Sequence, residues 1–343
     1  MKALVLVEYN NFELKDVDKP SIEPGEVLVK IKACAICGSD VHGMDGSSGR
    51  RIPPIIMGHE AAGVIEEIGA DVTKYKVGQR VTFDSTAYCG DCEYCSNGQV
   101  NLCGTRQVFG VSCGDYRRHG AFAEYVAVSE HILYPVPDNV TFEQAAMVEP
   151  LAIALHGVSR VNLKGKDTAV VIGAGMIGLL VIAALKEKGV KTVISADVNN
   201  SRLELSKEFG ADHTINTKES DAIKEILALT GGEGAHISFE VVGLTETVEL
   251  AVNCTRKGGS IGLIGNISKT AAIPLQAVVT KEISLFGSCS CAGEYGESLD
   301  LISNKKINVD KLMSGVAPLS EGQSMFKRLY GGKEDLMKII LVP

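Results

Sequence analysis

Thr168-Ala169-Val170-Val171-Ile172-Gly173-Ala174-Gly175-Met176-Ile177-Gly178 is the stretch that decides how this chain folds. From Ala169 to Ile172 it is unbroken apolar, as in a strand buried on both faces. Three glycines follow at G-x-G-x-x-G spacing, and an amphipathic stretch runs on to Lys188. Glycines at that spacing let backbone approach a pyrophosphate, which then sits on a helix N-terminus. A second strand-like run, Thr192-Val193-Ile194-Ser195-Ala196, ends at Asp197, 19 residues after the last glycine. An acid at that distance accepts hydrogen bonds from ribose hydroxyls and repels a 2′-phosphate. The reading is a dinucleotide site that prefers NAD, with Gly173, Gly175, Met176, Ile177, Gly178 and Asp197 as its residues. Arg202, close behind, keeps NADP open.

The same texture continues downstream. Ser201–Phe209 and Thr217–Leu229 read as helices, and 236–243 and 259–265 as strands. Strands alternating with helices predict a parallel, doubly wound sheet, with ligands at the carboxyl ends of its strands. Val242, Gly243, Ile264 and Gly265 fall at such ends and are placed beside the nicotinamide, with plain turn glycine as the alternative. The run 169–185 is apolar but shorter than a bilayer needs, about 20 residues, and its glycines break it into strand, turn and helix.

Upstream, the first 150 residues read differently. Glu26 to Ala33 alternates apolar and polar, and Pro20, Pro24 and Gly25 punctuate it. Further short strands, such as Ala61–Ile68, separated by Gly and Pro, suggest a β-barrel-like domain. Between them stand Cys37-Gly38-Ser39-Asp40-Val41-His42 and Gly58-His59-Glu60. A catalytic zinc takes three protein ligands and keeps one position open. Cys37, His59 and Glu60 fit that pattern, and Glu149, an acid among Met147, Val148 and Leu151, is a fourth candidate. Residues 89–103 carry Cys89, Cys92, Cys95 and Cys103 at C-x2-C-x2-C-x7-C spacing, which predicts a closed, structural zinc site. Reduced thiols and an iron–sulfur cluster are the alternatives. Asp91 and Glu93, with no lysine or arginine in that loop, argue against a nucleic-acid finger.

Composition sets the outer limits. The chain has 343 residues, enough for two domains. Its 42 acidic and 34 basic residues give a net charge of −8, which disfavours nucleic acid as a partner. No secretory signal or membrane span is read, so a cytoplasmic location is expected. Ten cysteines in a reducing compartment argue for metal ligands and thiols over disulfides.

Taken together, Cys37–His42, Gly58-His59-Glu60, the four-cysteine lobe, Gly120-Ala121-Phe122-Ala123-Glu124-Tyr125, Val148-Glu149-Pro150 and Gly173–Gly178 resemble the zinc-dependent medium-chain dehydrogenase/reductase family. The resemblance spans the whole chain and is nearest to the polyol branch: sorbitol, butanediol and sugar-alcohol phosphate dehydrogenases. Glu149 in Val-Glu-Pro-Leu fits that branch. The resemblance implies an α/β protein: a GroES-like β-barrel-type catalytic domain from 1–152 and 288–343, with a zinc lobe at 86–104, and a Rossmann NAD-binding domain at 153–287. It implies two zinc ions per chain, NAD, and a homodimer or homotetramer. Cys37 and His59 then bind the catalytic zinc, and Glu60 binds directly or exchanges with water. Glu149 is a ligand or holds the bound water. Ser39 takes the substrate hydroxyl proton and His42 passes it to solvent.

The expected reaction is oxidation of a secondary alcohol of a polyol or sugar derivative to a ketone. An L-threonine 3-dehydrogenase-like or sugar-acid dehydrogenase is the alternative, and a non-catalytic dinucleotide-binding protein the reading from another class. Two departures bear on substrate. The turn 287–292 carries Ser288, Cys289 and Cys291 where sorbitol-type enzymes have arginine and tyrosine, and the loop Val111–His119 is long. Arg50, Arg51, Arg117 and Arg118 are candidate holders of a phosphate or carboxylate, or solvated surface.

Overall fold

A strand buried on both faces needs helices above and below it, and the run Ala169–Ile172 meets that demand. The computed structural model describes residues 1–113, 116–332 and 334–343, with the side chains of Cys113 and Tyr116 excepted. Gly114 and Asp115 of the loop 111–119 therefore lie outside the described residues, as does the Cys113 side chain. Two compact units form, Met1–Glu149 with Tyr295–Pro343, and Pro150–Glu294.

The second unit is a six-stranded parallel sheet. In spatial order its strands are His213–Asn216, Thr192–Asp197, Thr168–Ile172, Ala235–Glu240, Thr255–Leu263 and Ser284–Gly287. Numbered along the chain, that is 3-2-1-4-5-6, the doubly wound dinucleotide-binding order. Thr168–Ile172 sits at the centre, and Ala169 to Ile172 are at most 2% exposed. The turn after it needs glycine twice. Gly173 has φ +100°, and a Cβ on Gly178 would collide with the Gly173 carbonyl oxygen. Helix Met176–Glu187 can therefore start directly on the turn. Thr217–Leu229 is helical only from Ala222, because Asp221 caps it by accepting from the Lys224 N–H.

The first unit is built around the strand Glu26–Ala35, which pairs with Glu60–Ile68, Tyr125–Ser129 and the C-terminal Lys338–Val342. Arg80–Phe83, Leu133–Pro135 and Met313–Pro318 complete a seven-stranded sheet. A three-stranded sheet, Asn11–Asp16, Lys2–Glu8 and Ile55–Ile56, joins it in enclosing the core that includes Phe12, Phe83, Phe109, Phe122 and Phe326. Register fixes the chemistry. Ala35 stands opposite both Glu60 and Ile340, so the start of one flanking strand and the chain's last strand meet at the residues leading into Cys37.

Candidate active site

Cys37 follows the strand Glu26–Ala35 and caps helix Gly38–Met44, accepting from the Ser39 N–H through its sulfur at 3.4 Å. Gly58 places His59: it has φ +94°, and a Cβ there would press on Cys34 Sγ and the Phe122 ring. Glu60 opens its strand. One ligand atom from each of Cys37, His59 and Glu60 lies within 4.8 Å of the others. His59 is 6% exposed, and its Nδ1 has no hydrogen-bond partner in the structure. A buried imidazole beside a thiol and a carboxylate is a donor set suited to zinc.

Three contacts around this set were not readable from sequence. Lys338 Nζ donates to both oxygens of Glu60, at 2.8 and 2.7 Å, with both side chains buried. Asp40 is fully buried, 3.5 Å through Oδ1 from His59 Nδ1, and is held by Arg51 at 2.7 Å. Ser85 Oγ donates to Glu149 Oε1 at 3.1 Å. A lysine at the head of an apolar strand and a serine in a polar loop carry no distinguishing pattern; only register brings them to the acids.

Glu149, at the start of helix Val148–Ser159, is 7% exposed rather than a surface acid. It stands outside the Cys37–His59–Glu60 set. Burial, reinforced by the Glu60 charge, pushes its carboxyl up to about 7 against the pull of His59, Lys338 and Ser85. Burial also pushes the Cys37 thiol up to about 12, with the Glu60 charge adding to it. Both shifts come first from burial, and a divalent cation bound at the set would work against them.

Ser39 is exposed, and its Oγ donates to Cys37 Sγ at 3.3 Å. His42 is exposed on the same helix and faces a recess of about 460 Å³ lined in part by Gly38, Val41, Asp45 and Tyr330. The arginines divide. Arg51 is buried against Asp40, Arg117 donates to the Ile52 and Pro54 carbonyls, and Arg118 bonds Glu26, Gln107 and the Ala127 carbonyl. These three are hydrogen-bonded within the protein, which weighs against the anion-holder reading; Arg117 and Arg50 are exposed, as the surface alternative has it.

Cys89, Cys92, Cys95 and Cys103 form the second set, also within 4.8 Å. Tetrahedral zinc with Zn–S bonds of about 2.3 Å separates its sulfurs by about 3.8 Å. The Cys89–Cys95, Cys92–Cys95 and Cys89–Cys103 sulfurs are 3.9, 3.5 and 3.5 Å apart. Burial raises Cys103, yet donors from Cys89 and Thr105 outweigh it and bring the thiol down to about 6.

In the second unit, Asp197 Oδ2 accepts from the Ala174 N–H at 2.6 Å and Oδ1 from the Asn199 N–H at 2.9 Å. Its carboxylate is thus fixed onto the glycine turn. Arg202 Nη1 reaches within 3.7 Å of where a Cβ on Gly175 would stand. Gly243 has φ +91°, and a Cβ on Gly265 would strike the Val242–Gly243 backbone, so these two turns close on each other. Buried Glu240, ending its strand, accepts from the Val242 and Gly243 N–H groups at 2.8 Å each. Ile264 follows the next strand, its N–H bonded to the Glu240 carbonyl. Cys291 is buried and Cys289 exposed.

Residues 23–138 match the family described as alcohol dehydrogenase GroES-like domain, and residues 177–304 the family described as zinc-binding dehydrogenase. Sorbitol dehydrogenase of Bacillus subtilis is 32% identical over 348 residues, covering 100% of this chain and 97% of its own. D-arabitol-phosphate dehydrogenase of Enterococcus avium is 32% identical, covering 95% and 93%. A zinc-binding dehydrogenase of Sinorhizobium meliloti, solved bound to NADP, superposes with a TM-score of 0.92 at 29% identity, covering 100% and 99%. With its GroES-like and dinucleotide-binding halves both matched, the chain belongs to the zinc-dependent medium-chain dehydrogenase/reductase family, in its polyol dehydrogenase branch.

Proposed function

We propose that this chain oxidises a secondary alcohol of a polyol or sugar derivative to the ketone, with NAD as hydride acceptor and two zinc ions per chain. The observation that carries it is the set of half-buried Cys37 with buried His59 and Glu60, with ligand atoms within 4.8 Å, beside buried Glu149. Cys37 and His59 hold the catalytic zinc, with Glu60 or Glu149 as the third ligand, and the four lobe cysteines hold the second. When bound, zinc supplies the Lewis acidity that lowers an alcohol's pKa. Ser39, exposed beside Cys37, takes the substrate's hydroxyl proton, and His42 passes it outward to the recess it faces.

Asp197 supports NAD: its carboxylate is fixed at the glycine turn, where a 2′-phosphate would meet it. Gly173, Gly175, Met176, Ile177 and Gly178 form the pyrophosphate turn, and Val242, Gly243, Ile264 and Gly265 the nicotinamide side. Arg202 and the NADP-bound relative are the reason to test both dinucleotides. A homodimer or homotetramer is proposed from the family. A cytoplasmic setting is likewise proposed. Among the described residues no helix is long and apolar enough to cross a membrane.

The test is a screen of NAD and NADP reduction over polyols, polyol phosphates, aldonates and diols, with Cys37→Ser in parallel. Turnover confined to primary alcohols, or Cys37→Ser keeping wild-type turnover and stability, would overturn the reading.

A further inference from the structure

Arg51 is 2% exposed although Arg50 and Ile52 beside it are exposed. Its stem crosses helix Gly38–Met44 at Gly43, where a Cβ would collide with Arg51 Cγ. The guanidinium reaches two groups at once. Nε and Nη2 donate to Asp40 Oδ1 at 3.3 and 2.7 Å, and Nη2 also donates to Ser39 Oγ at 3.1 Å. Asp40 in turn touches two of the metal-ligand candidates: Oδ1 is 3.5 Å from His59 Nδ1, and Oδ2 accepts from the Cys37 N–H at 3.4 Å.

A serine hydroxyl has one proton and two lone pairs. Arg51 occupies one lone pair, which leaves one acceptor site and one proton, the minimum for a relay with a direction. In the structure that proton points to Cys37 Sγ at 3.3 Å. We propose that Arg51 is a positioning residue for proton removal, fixing the Ser39 hydroxyl while neutralising Asp40 behind His59. The inference rests on the relay role proposed for Ser39. It also explains why an arginine in a loop of glycines and serines is buried rather than solvated. Lysine would keep the charge but has no planar fork to reach Asp40 and Ser39 together.

The test is a double-mutant cycle on the zinc-loaded enzyme with Arg51→Lys, Ser39→Ala and the pair. Gly43→Ala, which displaces the Arg51 stem without touching its charge, is a second probe should Arg51→Lys fail to fold. Arg51→Lys is expected to lower kcat about tenfold with little change in KM, and to add nothing in the Ser39→Ala background. A second readout needs no turnover. In the cobalt-substituted protein, loss of the Ser39 hydrogen bond to Cys37 moves the thiolate-to-metal charge-transfer band to lower energy. Arg51→Lys should reproduce the Ser39→Ala shift, and the double variant should move it no further. An equal kcat loss in both backgrounds with an unmoved band would overturn the proposal. Wild-type kcat in Ser39→Ala alone would overturn the relay instead, while the band still reports whether Arg51 holds Ser39.

Discussion

Lys338 Nζ lies 2.8 and 2.7 Å from the two carboxylate oxygens of Glu60, although 277 residues separate them in the chain. The strands that carry them flank Glu26–Ala35 on either side, and the pair closes across it. The lysine thus takes one acceptor site on each oxygen of an acid in the candidate zinc set, so a metal bound by Glu60 would share the carboxylate with a buried ammonium. Glu149, held by one serine, is the less encumbered acid.

Removing one member of a buried pair strands the other as an uncompensated charge. Lys338→Met is therefore expected to cost about 3–5 kcal/mol in urea unfolding. Adding Glu60→Gln should recover most of that loss. A single variant as stable as wild type would show that Glu60 is paired elsewhere.

The cysteine lobe has little apolar material of its own: Cys89 is exposed, and no residue of its short helix Glu93–Ser96 is buried. Its order should come from metal. Cys95→Ser is expected to drop zinc from two ions per chain to one and to open residues 86–104 to limited proteolysis. Metal analysis and mapped cleavage sites check this, and two retained zinc ions would refute the assignment.

Asp197 has one oxygen engaged with the Ala174 N–H of the glycine turn and the other with the Asn199 N–H just after its own strand. Asp197→Ser removes the charge that a 2′-phosphate would face. The ratio of NADP to NAD in kcat/KM is expected to rise at least about tenfold, equivalent to about 1.4 kcal/mol. An unchanged ratio would move the choice of dinucleotide away from Asp197.

Glu294 accepts from His156 Nδ1 at 2.8 Å and from the Ala292 N–H at 2.5 Å. Burial works to raise its carboxyl, but these bonds prevail and hold it below its usual 4.5. Folded protein then binds fewer protons than unfolded protein across that window. The stabilisation is complete above 4.5 and is lost as pH falls through the lowered value. Comparing urea midpoints at about pH 6 and about pH 3.5, Glu294→Gln should lose less stability on acidification than wild type. Equal losses would mean the pair contributes nothing to the acid limb.

Several features were legible because they are local. G-x-G-x-x-G after an apolar run, an acid 19 residues on, and four cysteines in fifteen positions each encode geometry at short range. Helix ends were legible only to within a few residues, since Asp221 moves the start of one helix from 217 to 222 through a cap. The arginines misled because sequence shows a charge and not its partner. Arg51, Arg117 and Arg118 read as open cations and are hydrogen-bonded within the protein.

What the sequence by itself determined is the parallel dinucleotide-binding sheet, the four-cysteine set, the Cys37, His59 and Glu60 candidates and the family, because periodicity, glycine placement and ligand spacing act within a few tens of residues. What only the tertiary structure decided is how those groups are held: Lys338 on Glu60, Arg51 between Asp40 and Ser39, and Ser85 on Glu149. The physical reason is that a buried charge must find a partner. The partner that reaches it is set by strand register and by the room left at Gly43, neither of which is written at the charged residue itself.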